Sequence, residues 1–210
     1  MKTVEFGFDD IQKLQKHGIT GLDACVAQIL IGGVPQAYHP AERVLAIAAA
    51  CGRSSYEGSI IRAFHSDRYH LESDKVIVVG CDNREQKPSH QDYDFHLSST
   101  EGDVRFADPW EKGLIFASNG KQRYDFVLIN FPPIMIETNP WLDIIERSLQ
   151  FLSDDGVVAI TGMDADIPHL SRLQEILSGF DGVGLTPVQH FRYNGRLVVD
   201  YGLLCAQKGE

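Results

Sequence analysis

No stretch of this 210-residue chain reads as a membrane span, for none approaches the ~18 consecutive apolar residues that a bilayer requires. The opening MKTVEFGFDD lacks the apolar segment of a secretory signal. Cysteine is scarce. Cys25, Cys51, Cys81 and Cys205 are far apart and form no CxxC pair, which argues against a zinc site and a disulfide framework. Three of them sit in apolar or strand-like surroundings, where cysteine behaves as a small hydrophobe. Basic charge is also short: 19 Lys and Arg face 29 Asp and Glu, a formal net charge of −10. That balance argues against a phosphate-backbone binder, and so against nucleic acid as a partner. There is no GxGxxG loop, internal repeat or low-complexity tract. What remains is a cytoplasmic globular chain with no membrane partner, long enough for one well-buried core.

The stretch around which the rest is organised is Ala41 to Phe64, AERVLAIAAACGRSSYEGSIIRAF. Val44 to Ile47 is a near-continuous apolar run, as expected of a parallel strand covered on both faces. Small residues follow, from Ala48 to Gly52. Ser54 or Ser55 can cap a helix whose apolar stripe is Ile60, Ile61 and Phe64. A turn of small residues lets backbone approach a ligand, with the free N–H groups of a helix start behind it. The same residues also serve to pack strand and helix closely.

Ahead of this unit, Phe8 to Ile31 has helical spacing with a break at Gly18 to Gly21. Residues 1–40 therefore read as a helical segment packed on a core formed by 41–210. After the unit, Lys75 to Gly80 is a second buried strand, ending at Cys81-Asp82-Asn83. An acidic residue at a strand's carboxyl end, some 20–30 residues beyond a small-residue loop, suits the hydroxyls of a ribose. In the polar run that follows, His90, Asp92, Asp94 and His96 alternate. On an extended strand they share one face and could hold a divalent metal, or they form a solvated edge. Val104 to Ala107 reads as a third strand ending at Asp108, and Gly113 to Gln122 as a short strand or loop.

Tyr124 to Ile129 is a fourth buried strand, running into Asn130-Phe131-Pro132-Pro133, where two prolines stop pairing and stiffen the turn. An amide just before such a turn can hold a substrate amine through its carbonyl oxygen. A helix over Pro140 to Leu152, a turn at Asp154 to Gly156, a strand over Val157 to Thr161 and a helix over Ile167 to Leu177 come next. Val188 to Tyr193 and Arg196 to Ala206, joined at Asn194-Gly195, predict a hairpin. The fold class is thus α/β: a doubly wound, mostly parallel sheet with helices on both faces and a C-terminal antiparallel hairpin.

In this order of elements the chain resembles class I S-adenosylmethionine-dependent methyltransferases from Ala41 onward. ERVLAIAAACGRSS corresponds to the family's first strand and cofactor loop, VRFADPW to the end of its third strand, INFPPI to its Asn/Asp-Pro-Pro-aromatic motif, and FLSDDGVVAITG to the approach to its fifth strand. The resemblance implies S-adenosylmethionine as cofactor, with Ala48, Ala50 and Gly52 beside its methionine part, Asp82 at its ribose and Asp108 near its adenine. Asn130, Pro132 and Pro133 would orient the methyl acceptor, a small molecule or a protein. Five positions depart from the pattern. Ala46 stands for the acidic residue of the first strand, Ala48 and Ala50 stand for loop glycines, Phe131 separates Asn130 from the prolines, and Ile134 replaces the aromatic ring.

Methyl transfer is therefore one reading, with His190 or Tyr193 as further residues able to face the site from the hairpin. A noncatalytic protein that keeps the fold, with a homodimer interface on the N-terminal helix, is the other. A dehydrogenase fits less well, because GxGxxG is missing and the terminal hairpin suits methyltransferases.

Overall fold

The computed structural model describes residues 3–49, 56–82, 92–117, 121–130 and 140–209. Strand β1 (Thr3–Gly7) leads into a short helix, α1 (Phe8–Gln12), and a 3-10 turn over Lys13–His17. Gly18 closes that turn at φ 76°, a left-handed conformation suited to glycine. Helix α2 (Gly21–Gly33) follows. The break expected at Gly18 to Gly21 is therefore present. Strand β1 was not expected, and residues 1–40 are not helical throughout. Its five residues acquire their identity from parallel pairing with a strand near residue 190, Thr3 opposite His190.

The next elements are β2 (Val44–Ala49), α3 (Glu57–Tyr69), β3 (Val76–Cys81), β4 (Phe95–Leu97), α4 (Asp108–Ala117) and β5 (Tyr124–Asn130). Then come α5 (Pro140–Phe151), β6 (Leu152–Met163), α6 (Ile167–Leu177), β7 (Val183–Leu185), β8 (Gln189–Asn194) and β9 (Val198–Lys208). One sheet runs β1-β8-β9-β6-β5-β2-β3-β4, with β7 paired to β9. Only β9 opposes its neighbours; the β1–β8, β2–β3, β2–β5, β3–β4 and β5–β6 pairs are all parallel.

Strand β2 shows why the sheet needs two covers. All six of its residues are buried. Val44, Ala46 and Ala48 join the core layer containing Ile60, Phe64 and Phe126, whereas Leu45, Ile47 and Ala49 join the layer containing Trp110, Ile145 and Leu173. Each buried large side chain contributes about 1.5–3 kcal/mol. Arg68 of α3 ties the first layer down by donating from Nη1 to the Val34 carbonyl at 2.7 Å and the Ile31 carbonyl at 3.2 Å, at the end of α2.

The expected third strand at Val104 to Ala107 is a turn instead. The Asp103 carboxylate grips the Arg105 guanidinium, the Asp103 carbonyl accepts from the Phe106 N–H at 3.0 Å, and the Val104 carbonyl accepts from the Trp110 indole at 2.9 Å. The third strand of this half is β4, inside the polar run, with Val79, Gly80 and Cys81 opposite Phe95, His96 and Leu97. Likewise 113–117 belongs to α4, for Asp108-Pro109 opens a helix rather than closing a strand. The fifth buried strand starts earlier than expected: Asp154 to Gly156 lie within β6, where the register with β5 shifts between Tyr124 and Phe126. The hairpin at Asn194-Gly195 and Pro168 at the start of α6 are as expected.

Candidate functional site

Strand order reverses beside β2. The chain leaves β2 through α3 to reach β3 on one side, and later returns through α4 to β5 on the other. Such a reversal opens a crevice at the carboxyl ends of the strands.

Asp82 lies immediately beyond β3 and is 3% exposed; its N–H donates to the Leu97 carbonyl at 3.0 Å. Burial pushes the nearby His96 imidazole below its ordinary range, with the Asp82 carboxylate opposing. On the other side of β2, Asn130 ends β5. Its Oδ1 accepts from the hydroxyl of the fully buried Thr161 at 2.7 Å, and its Nδ2 donates to Glu57 Oε1 at 3.4 Å. The carbonyl expected to hold a substrate amine thus already accepts one hydrogen bond, and the NH2 end faces a carboxylate.

Glu57 is the first residue of α3 and is 5% exposed. Its Oε2 accepts from the Tyr93 hydroxyl at 2.8 Å. Two glycines permit this arrangement. A Cβ on Gly58 would lie 2.1 Å from the Asp92 carbonyl oxygen, and one on Gly80 would lie 2.8 Å from the Tyr93 ring. The first turn of α3 and the segment before β4 therefore meet backbone to backbone, and Tyr93 lies across β3 to reach Glu57. Burial pushes the Glu57 carboxyl up; its own N–H, Tyr93 and Asn130 oppose that, and Asp23 of α2 adds to it. Burial also raises Asp23, reinforced by Asp92.

The other sequence-derived residues distribute as follows. Ala48 is a fully buried member of β2 facing the core, not part of a loop. Ala50, Gly52, Pro132 and Pro133 lie outside the described residues, as do Ser54, Ser55 and His90. Asp108 is exposed at the first position of α4, so the strand end expected to present it is not there. Asp92 Oδ1 accepts from the Ser59 hydroxyl and Asp94 Oδ2 from the Arg62 guanidinium and the Val78 N–H, each at 2.7 Å. Both carboxylates thus tie α3 to the segment before β4, and that of Asp94 ties β3 to it as well. Among the described residues no group of three or more His, Cys, Asp or Glu is arranged to hold a metal. His190 and Tyr193 are on β8, separated from β5 by β9 and β6, roughly three strand spacings or ~14 Å away. They are not brought to the Asn130 network.

Glu57, Tyr93 and Thr161 escaped the sequence reading. An acid in the first turn of a helix is ordinary dipole chemistry, and Tyr93 sits between two aspartates that drew attention as ligands. The signal available was glycine directly after Glu57, which marks a close backbone approach.

No model of a known protein family matches the chain, and no curated protein matches it. Solved structures do. TrmN from Thermus thermophilus is similar at 18% identity over 94% of this chain, with a TM-score of 0.53; the match covers 52% of TrmN, so the chain spans about half that protein's length. An rRNA methylase from Streptococcus thermophilus is similar at 14% identity over 91% of this chain and 99% of its own, with a TM-score of 0.52. A ribosomal protein L11 methylase from Lactobacillus delbrueckii subsp. bulgaricus is 14% identical over 91% of this chain and 81% of its own, also at 0.52. The exclusion of nucleic acid is corrected here. An rRNA methylase has this fold, and a whole-chain charge sum does not report the charge around one crevice. Among the described residues no helix is long and apolar enough to cross a membrane. Sheet order, the single reversed strand and these likenesses together establish that the chain has the class I methyltransferase fold.

Proposed function

We propose that the protein is an S-adenosylmethionine-dependent methyltransferase whose cofactor crevice lies at the carboxyl ends of β2, β3 and β5. The observation that carries this reading is Asp82, a buried carboxylate one strand from the order reversal. Its place suits a ribose, whose paired hydroxyls need an acceptor. Asn130 and Glu57 give the other side of the crevice an amide and an anion, a polarity that fits a cationic amino-acid tail. When bound, the cofactor supplies a methyl group already activated on a sulfonium, so the chain's task is alignment and exclusion of water. Thr161 fixes the Asn130 amide, and Tyr93 fixes Glu57, so neither polar group must reorganise when ligand arrives. The backbone around 50–52 approaching the methionine part, and Asn130 with Pro132 and Pro133 orienting the acceptor, remain parts of the same proposal. The acceptor screen starts with RNA, because a relative in fold methylates rRNA, and extends to proteins and small molecules.

A noncatalytic reading has one specific support: the carboxyl end of β2 carries only Ala46, Ile47, Ala48 and Ala49, with no carboxylate. Calorimetric titration with S-adenosylmethionine and with S-adenosylhomocysteine separates the two. Micromolar binding, weakened at least roughly tenfold by Asp82→Ala, is the expected result, in line with a charged hydrogen-bond partner. Absence of binding up to millimolar ligand overturns the enzyme reading.

A further inference from the structure

The crevice poses a charge problem. A ligand ending in an α-ammonium needs an anion on the β2–β5 side, and β2 supplies none through Ala49. Asp82 is on the β3 side. Glu57 is on the required side, bound to Asn130 at the end of β5, nine-tenths buried and more. Its partners among the described residues are neutral: the Tyr93 hydroxyl, the Asn130 amide and its own N–H. Among the described residues no Lys or Arg pairs with it, although ten ion pairs of Lys or Arg with Asp or Glu form elsewhere. A carboxylate has about four acceptor positions, so Glu57 retains capacity for another donor. A buried anion held by neutral donors gains most from a cation.

Resting on the function proposed above, we infer that Glu57 is the anionic partner of the cofactor's methionine ammonium, replacing from the helix a carboxylate that the strand lacks. Gly58 and Gly80 let Tyr93 and the α3 backbone hold that carboxylate in place. A bound ammonium would join the network as a permanent cation, which the described residues do not supply. The rival role is a purely structural tie among α3, the segment before β4 and β5.

Two ligands distinguish the roles. S-adenosylhomocysteine carries the ammonium; 5′-methylthioadenosine has the same nucleoside thioether without the amino-acid end. Calorimetry on wild type, Glu57→Gln and Glu57→Asp is the test, with a thermal melt of each. Glu57→Gln loses the charge and one of the two acceptor oxygens: its carbonyl can still accept from the Asn130 amide, and its NH2 can donate to the Tyr93 hydroxyl oxygen. It is expected to bind S-adenosylhomocysteine roughly ten- to hundredfold more weakly and 5′-methylthioadenosine within about twofold of wild type. Glu57→Asp is expected to retain part of the wild-type preference for S-adenosylhomocysteine, which keeps the test informative if the Gln variant folds poorly. Equal weakening toward both ligands, or no change toward either, overturns the inference. If wild type binds both ligands equally well, the nucleoside site stands and the ammonium role falls. If it binds neither, the proposed function falls, and this inference with it.

Discussion

Helix α3 carries two buried ionisable groups two turns apart, and they are held in opposite ways. His65 is fully buried in a ring cluster; its centroid is 4.6 Å from Phe64, 5.1 Å from Phe126 and 5.9 Å from Tyr38. Both nitrogens are committed. Nδ1–H donates to the Ile61 carbonyl at 2.8 Å, and Nε2 accepts from the Tyr38 hydroxyl at 2.9 Å, which fixes one neutral tautomer. Glu57 is nearly as buried, yet its donors leave acceptor capacity and its side faces the crevice. The histidine is saturated by its own fold. The glutamate has room for a ligand. Burial alone does not separate structural from functional polar groups; unfilled hydrogen-bonding capacity at a strand-order reversal does.

The strongest way to break the saturated end is Phe126→Ala. The ring is fully buried between Tyr38, Phe64 and His65, and its loss is expected to cost about 3–5 kcal/mol in urea unfolding. A cost below about 1 kcal/mol would mean that the cluster is not packed as described.

Acid tests His65 next. Burial lowers its pKa to about 4 from the ordinary 6.5. Between these values the unfolded chain binds the extra proton and the folded one does not. This contribution is complete above about pH 6.5 and falls as pH drops through the window, the loss reaching about 3 kcal/mol by pH 4. His65→Gln keeps an acceptor for Tyr38 and removes the titration. The stability gap between wild type and variant should therefore narrow from pH 7 to pH 4. A gap independent of pH would show that His65 is not held neutral.

The smallest effect sharpens the ligand-ready end. Thr161→Val removes one donor to Asn130 and is expected to cost about 1 kcal/mol of stability. If Asn130 has the role proposed, S-adenosylhomocysteine should also bind more weakly. Unchanged stability would imply that Asn130 finds another donor.

Strands β2, β3, β5 and β6 were legible because both of their faces are covered, which writes long apolar runs into the sequence. Strands β1, β4 and β7 are only three to five residues long and half-exposed, so partners distant in sequence decide them. Asp108-Pro109-Trp110 misled because proline ends strands and opens helices alike. Asp82 was readable from its place after an apolar run. The Glu57 network was not, because it joins residues 57, 93, 130 and 161 through side chains and two glycine contacts that no local pattern encodes.

The pairing of β1 has a consequence for how the chain is made. Among the described strands, β1 is hydrogen-bonded only to β8, and β8 reaches the rest of the sheet only through β9. During synthesis β1 must therefore wait, unpaired, until β8 and β9 have followed it. Contacts between residues so far apart in sequence form slowly. Through that interval an exposed Val4 and Phe8 travel with a bare strand edge, the combination that invites capture by a chaperone or by another nascent chain.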